Sequence, residues 1–253
     1  MDGSVNPPGI STIKATIPII NNGADYGGGL YGELNAKVYL TGVTFTQNEA
    51  ADGAGGTGGK TGGAIYGEQD AFPADEDHPA RPLSPYGVAK LASERYLFFY
   101  HCQYGLDATC LRYANVYGPR QNPHGEAGVV AIFSRRLLDG EKAVINGDGL
   151  QTRDYVYVDD VVRVVLHFLD RPQVSGIFNT GTGRAQSFND VANAVIKWHG
   201  KGEIRYVPFP AHLEGAYQSF TQADLTALRA CGCDVGFRPV EQGVPAYLDE
   251  LCG

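Results

Sequence analysis

The chain has 253 residues, enough for one large domain or two small ones around a buried core. Its 43% hydrophobic and 19% charged content is ordinary for a globular protein in water, and a net charge of −8 argues against nucleic acid or an anionic membrane as main partner. Five Cys, at 102, 110, 231, 233 and 252, make no paired metal-ligand spacing, so no zinc is expected. With no apolar run of spanning length and no signal-like N-terminus, they read as reduced thiols of a cytoplasmic protein.

Residues 1–60 form a Gly-rich N-terminal segment. Residues 1–67 hold 16 of the 34 Gly and residues 1–60 hold three Lys and no Arg, so this part differs in composition from the rest of the chain. Two pieces alternate like strands, Ile10 to Ile20 and Ala36 to Phe45, and no window shows a helix period. Thr-Phe-Thr-Gln-Asn-x-Ala from Thr44, then Gly62-Gly-Ala-Ile-Tyr66, echoes Asn22 to Glu33. The echo resembles the coils of right-handed parallel β-helices in bacterial surface proteins. The run Gly53 to Thr61 matches G-x-G-x-x-G in letters, but no buried strand precedes it and no helix comes after it. It reads as a loop.

Residues 61–253 read as the catalytic and substrate-binding part. At their centre stands Leu83-Ser-Pro-Tyr-Gly-Val-Ala-Lys-Leu-Ala-Ser-Glu-Arg95. Ser84 is suited to cap a helix, and Pro85 to its first turn, where a missing N–H costs nothing. The helix runs on to Tyr104 with apolar residues at Val88, Leu91, Leu97, Phe98 and Cys102. Tyr86 and Lys90 fall four apart, on one face. A Lys charge beside a phenol favours the phenolate, so Lys90 is expected to lower the Tyr86 pKa and make it a general acid/base. Leu106 to Tyr113 reads as a strand leading into Ala114-Asn-Val-Tyr-Gly-Pro-Arg-Gln121.

These motifs, with Gly62-Gly-Ala-Ile-Tyr-Gly-Glu68 before them and Thr152-Arg-Asp-Tyr-Val-Tyr-Val-Asp-Asp160 after, resemble the extended short-chain dehydrogenase/reductase family. Residues 61–170 are most similar to UDP-glucose 4-epimerases. The resemblance implies NAD as cofactor, a nucleotide sugar as substrate and transient hydride transfer as the reaction. It assigns Tyr86 as acid/base, Lys90 as the group that tunes it and holds the nicotinamide ribose, and Thr61 as partner of the reacting hydroxyl. It places Tyr113 against the nicotinamide and gives Asn115 and Arg153 to the sugar diphosphate. It also implies a homodimer through the helix that carries Tyr86.

In the last third, Val156 to Leu169 reads as a helix entered through Asp159-Asp160, and Gly176 to Arg184 as a short strand and turn. Ser187-Phe-Asn-Asp190 resembles a capping box opening a helix to Trp198, and Ile204 to Pro210 a strand stopped by proline. Residues 171–253, with Gly183-Arg-Ala-Gln-Ser-Phe-Asn-Asp190 and Tyr217-Gln-Ser-Phe-Thr-Gln-Ala-Asp-Leu-Thr226, resemble ADP-glyceromanno-heptose 6-epimerases. Tyr217 is a further candidate substrate contact, and Ala216 stands where that family has an Arg.

The expected fold is therefore α/β, of the extended dehydrogenase type, with an incomplete Rossmann half and a small α/β substrate lobe. The half is incomplete because each βαβ unit takes about 30 residues, and several do not fit in the 60 available. Two other readings stay open. One is a nucleotide-sugar-binding remnant without catalysis; the other is a structural or adhesive module whose working part is the N-terminal β segment.

Overall fold

A computed structural model describes residues 63–67, 71–119, 121, 128–210 and 219–252. The readings placed on residues 1–60, Thr61 and Tyr217 lie outside the described residues.

A short helix α1 (Gly63–Tyr66) packs on the long helix α2 (Pro85–Tyr104). Both ends of α2 are set by local chemistry. Ser84 is extended, and its hydroxyl accepts from the Gly87 N–H at 3.1 Å, with Pro85 in the first turn. At the other end Gly105 takes the left-handed conformation (φ 65°), and its N–H donates to the His101 carbonyl. A side chain there would add strain that Gly avoids.

Among the described residues the strands form three small sheets. β1 (Thr109–Tyr113) runs parallel to β5 (Gly176–Thr180), pairing Tyr113 with Thr180 at their C-terminal ends. β4 (Thr152–Tyr157) lies between β2 (Asn115–Tyr117), parallel, and β6 (Ala185–Ser187), antiparallel. β3 (Ala143–Asn146) is parallel to β7 (Ile204–Val207), which Pro208 ends as expected. The parallel pairs and intervening helices bear out the α/β reading.

The remaining helices among the described residues are α3 (Val129–Leu138), α4 (Val158–Leu169), α5 (Phe188–His199), α6 (Thr226–Ala230) and α7 (Val240–Cys252). The largest core joins α3, α5 and α7 to β2, β3 and β4 through Phe133, Ile145, Tyr157, Val195 and Leu248, among others. A second core packs Val164 and Phe168 of α4 on Phe178, Leu228 and Cys233. The capping box at α5 is complete: the Ser187 hydroxyl accepts from the Asp190 N–H, and the Asp190 carboxylate accepts from the Ser187 N–H at 2.7 Å.

Two expectations change. Val156 and Tyr157 belong to β4, and α4 starts at Val158. β4 is the central strand of its sheet and buried on both faces, so its Tyr-Val-Tyr run satisfies strand packing before the helix can begin. Of the apolar residues expected along α2, only Leu97 is buried; Val88, Phe98 and Cys102 are exposed. Among the described residues no helix is long and apolar enough to cross a membrane.

Candidate active site

Tyr86 and Lys90 occupy the first two turns of α2, both partly buried, with the Lys90 ammonium 5.2 Å from the centre of the Tyr86 ring. The pair expected from the spacing is present. Its electrostatics differ from the expectation. Burial pushes the Tyr86 phenol up to about 12 and the Lys90 amine down to about 8. Desolvation sets both shifts. The phenol is therefore protonated at neutral pH, an acid rather than a base until charge arrives near its oxygen.

Of the other expected groups, Tyr113 stands at the C-terminal end of β1, the end at which ligands bind in open α/β sheets, while Asn115 and Arg153 stand at the starts of β2 and β4. Tyr113 ends β1 opposite Thr180, and the Ala114 N–H donates to the Thr180 carbonyl at 2.8 Å. Asn115 opens β2 in register with Tyr155 of β4, and strand alternation puts Arg153 on the same face as Tyr155. Arg153 is buried; its guanidinium donates to the Thr152 carbonyl at 2.7 Å and lies 5.9 Å from the Phe188 ring centre. The Asn115 side-chain carbonyl and the Thr180 hydroxyl are buried without a hydrogen-bond partner among the described residues. Buried polar atoms are rarely left so, which marks these strand ends as a place for a polar ligand. A ligand that brings hydroxyl or N–H donors, such as a ribose or a carboxamide, fits that chemistry.

Reading the sequence missed the groups that hold this site together. Arg112 of β1 and Glu94 of α2, both buried, form a two-pronged ion pair: Nε donates to Oε1 and Nη2 to Oε2, each at 2.8 Å. Arg112 Nη1 also donates to the Tyr66 hydroxyl at 2.8 Å and the Glu76 carbonyl at 2.9 Å. Tyr66 donates in turn to the Asn179 side chain of β5 at 2.7 Å. Burial pushes the Tyr66 phenol up to about 12. Burial works to lower the Arg112 guanidinium, but its bonds to Glu94 and the charges of Tyr66 and Glu94 win and hold it above its ordinary value.

A second missed group is Asp154, fully buried, whose carboxylate accepts from the N–H groups of Thr182, Gly183 and Ala223 and from the Thr182 hydroxyl, at 2.6–3.2 Å. Burial raises its carboxyl despite those four donors. Gly181 beside it has no room for a side chain: a Cβ there would stand 2.7 Å from Asp154 Oδ2 and 2.9 Å from the Ala114 Cβ. The only sequence signals for these residues were charges at inward positions: Arg112 shares a strand face with Cys110, and Glu94 lies one helical turn past Lys90.

Known proteins resemble this chain in sequence and fold. Residues 61–181 match the model of the NAD dependent epimerase/dehydratase family. The chain is 51% identical over 195 residues to the ADP-L-glycero-D-manno-heptose-6-epimerase of Alkalilimnicola ehrlichii, covering 74% of this chain and 61% of that protein. Among solved structures, it is similar to the UDP-glucose 4-epimerase of Thermotoga maritima with UDP-glucose, with TM-score 0.66 and 43% identity over 76% of this chain and 61% of that one. It is likewise similar to the UDP-glucose 4-epimerase of Thermus thermophilus in complex with NAD, with TM-score 0.67 and 40% identity over 76% and 62%. The chain spans about three-fifths of the length of these relatives.

Proposed function

Residues 61–181 are of the NAD-dependent epimerase/dehydratase family, and from that premise we propose that the chain is an epimerase of a nucleoside-diphosphate sugar, using NAD. The observation that carries the reading is the Tyr86/Lys90 pair, held on a capped helix, in a chain whose strand-end residues Asn115 and Thr180 have buried polar atoms with no partner among the described residues.

NAD, when bound, supplies a hydride acceptor that can also return the hydride. The chain's residues do the rest. Tyr86 gives or takes the proton of the reacting sugar hydroxyl. Lys90 holds the nicotinamide ribose, and a proton retained on its amine favours the phenolate. Tyr113 lies against the nicotinamide. Asn115 receives the sugar diphosphate, and Arg153 grips it with a planar fork suited to paired phosphate oxygens. Thr61 is the candidate partner of the reacting hydroxyl, and Tyr217 a candidate contact to the sugar.

Two relatives pull the substrate in different directions. The motifs of residues 61–170 favour UDP-glucose and UDP-galactose, while the 51% relative favours an ADP-heptose. Full-length protein supplied with NAD and offered each sugar nucleotide in turn separates them; conversion of UDP-galactose to UDP-glucose supports the first, and epimerisation of the ADP-heptose alone the second. A binding remnant without catalysis is the alternative. It requires calorimetric binding of UDP-glucose without NAD and no turnover of any of the three.

The exposed Val88, Tyr96, Phe98, Phe99 and Tyr104 of α2 support a homodimer through that helix. Sedimentation of the full chain at two concentrations checks it, and a monomer at both removes it.

A further inference from the structure

We propose that the Glu94–Arg112 ion pair is a positioning device that fixes the rotation and axial setting of α2, so that Tyr86 and Lys90 face the strand end carrying Tyr113 and Asn115. Of the twenty residues of α2, only Gly87, Glu94 and Leu97 are buried. Leu97 makes the one buried apolar anchor, against Cys110 of β1. Apolar contact is non-directional and permits sliding and rotation. A two-pronged guanidinium–carboxylate pair does not, since both N–H···O bonds hold only in one orientation.

The placement fits that task. Glu94 lies one turn past Lys90 and two past Tyr86, about 12 Å along the helix, on the same stripe. Arg112 is the residue immediately before Tyr113, so the strand that holds the pin also carries the expected ligand contact. Arg112 is itself braced from two further sides, by the Tyr66 hydroxyl and the Glu76 carbonyl. The brace continues to β5, because Tyr66 donates to Asn179, whose N–H donates to the Glu76 carboxylate at 2.6 Å and whose amide donates to the Ala74 carbonyl at 3.0 Å. One buried set of polar groups thus ties α1, α2, β1 and β5 into a single frame.

The inference rests on Tyr86 and Lys90 being the reacting pair, but its test needs no turnover. The rate at which Lys90 is acylated by an N-hydroxysuccinimide ester is measured against pH on the full chain by mass spectrometry, with exposed Lys201 as internal reference. In the native chain the Lys90 midpoint is expected near 8. Arg112→Lys keeps the charge and loses the fork; the Lys90 midpoint then rises by at least one pH unit while Lys201 does not move. Leu248→Ala, in a separate core, lowers stability and leaves the Lys90 midpoint in place. Should Arg112→Lys not fold, the double variant Glu94→Leu with Arg112→Met, which fills the site with apolar groups of similar volume, is held to the same criterion. An unchanged Lys90 midpoint in whichever of the two folds overturns the proposal, as does an equal shift in Leu248→Ala. A chain that shows the shift but converts no sugar nucleotide keeps the positioning device and loses the proposed function; a chain that converts one without the shift does the reverse.

Discussion

Helices α2 and α5 are built on opposite plans. α5 buries Val191, Ala192 and Val195 against the main core and turns its polar side outward. α2 buries Glu94 and only one large apolar side chain, Leu97, while Val88, Tyr96, Phe98 and Phe99 are exposed. A helix held by apolar burial is tolerant of small shifts, because many contacts each contribute little. A helix held by one directional ion pair is placed in a single setting at a cost in stability. The helix that carries Tyr86 and Lys90 is of the second kind. Placement is what a reacting pair needs, since small errors of geometry cost large factors in rate.

The largest effect expected from this contrast is at Arg112. Arg112→Met leaves the Glu94 carboxylate buried without its partner and lowers unfolding free energy by about 3–5 kcal/mol, whereas adding Glu94→Leu restores most of it. Urea titration of both variants checks this, and equal losses would break the contrast. Truncating the apolar plan instead, Leu248→Ala lowers stability by about 2–5 kcal/mol and leaves Lys90 reactivity alone.

Titration gives a subtler signature. The unfolded chain keeps the Lys90 proton up to about 10.5, and the folded chain releases it near 8. Between these values the unfolded state binds more protons, so stability climbs as pH rises from 8. Tyr86 acts oppositely: it keeps its proton to about 12 when folded and to about 10 when unfolded, so stability falls as pH passes 10. Buried Cys110, Tyr66 and Tyr117 also keep their protons longer when folded, so the Lys90 effect is read as the difference between the native chain and Lys90→Met, in which those groups cancel. Chemical denaturation of both between pH 7 and 10 should show that difference growing in favour of the native chain, by on the order of 1–2 kcal/mol after partial solvation is allowed for. A difference that does not change with pH would mean that Lys90 is hydrated like any surface amine. The smallest effect is on the outer side of α2. Phe98→Ser should change monomer stability by less than about 0.5 kcal/mol, because the side chain is already exposed.

Local chemistry was legible in the sequence. Ser84, Pro85 and the Ser187/Asp190 box announced their helices, because a cap is satisfied by residues three or four positions away. Tyr86 and Lys90 were legible for the same reason, since helical spacing alone puts them together. The residues that stayed hidden depend on distant partners. Glu94 and Arg112 are 18 positions apart and each reads singly as a surface charge; only the fold buries both. Asp154 gathers its donors from Thr182, Gly183 and Ala223, and Asn179 reaches Tyr66 across 113 positions. The Tyr86 pKa went the other way from the expectation because spacing reports proximity and says nothing of burial. Val156 was placed in the helix because its β-branched run is equally compatible with a buried strand until a neighbouring strand, β2, is known.

The central claim is that Tyr86 is the proton-transfer group of a sugar-nucleotide epimerase. Its most direct test is turnover of UDP-galactose and of the ADP-heptose by native chain and Tyr86→Phe, each supplied with NAD, alongside calorimetric affinity for the same nucleotides. The account predicts turnover of one substrate by the native chain and a loss of about 10²–10⁴-fold in Tyr86→Phe, with affinity held within a few-fold. Native-like turnover in Tyr86→Phe, or none in the native chain with NAD and substrate both bound, would contradict it.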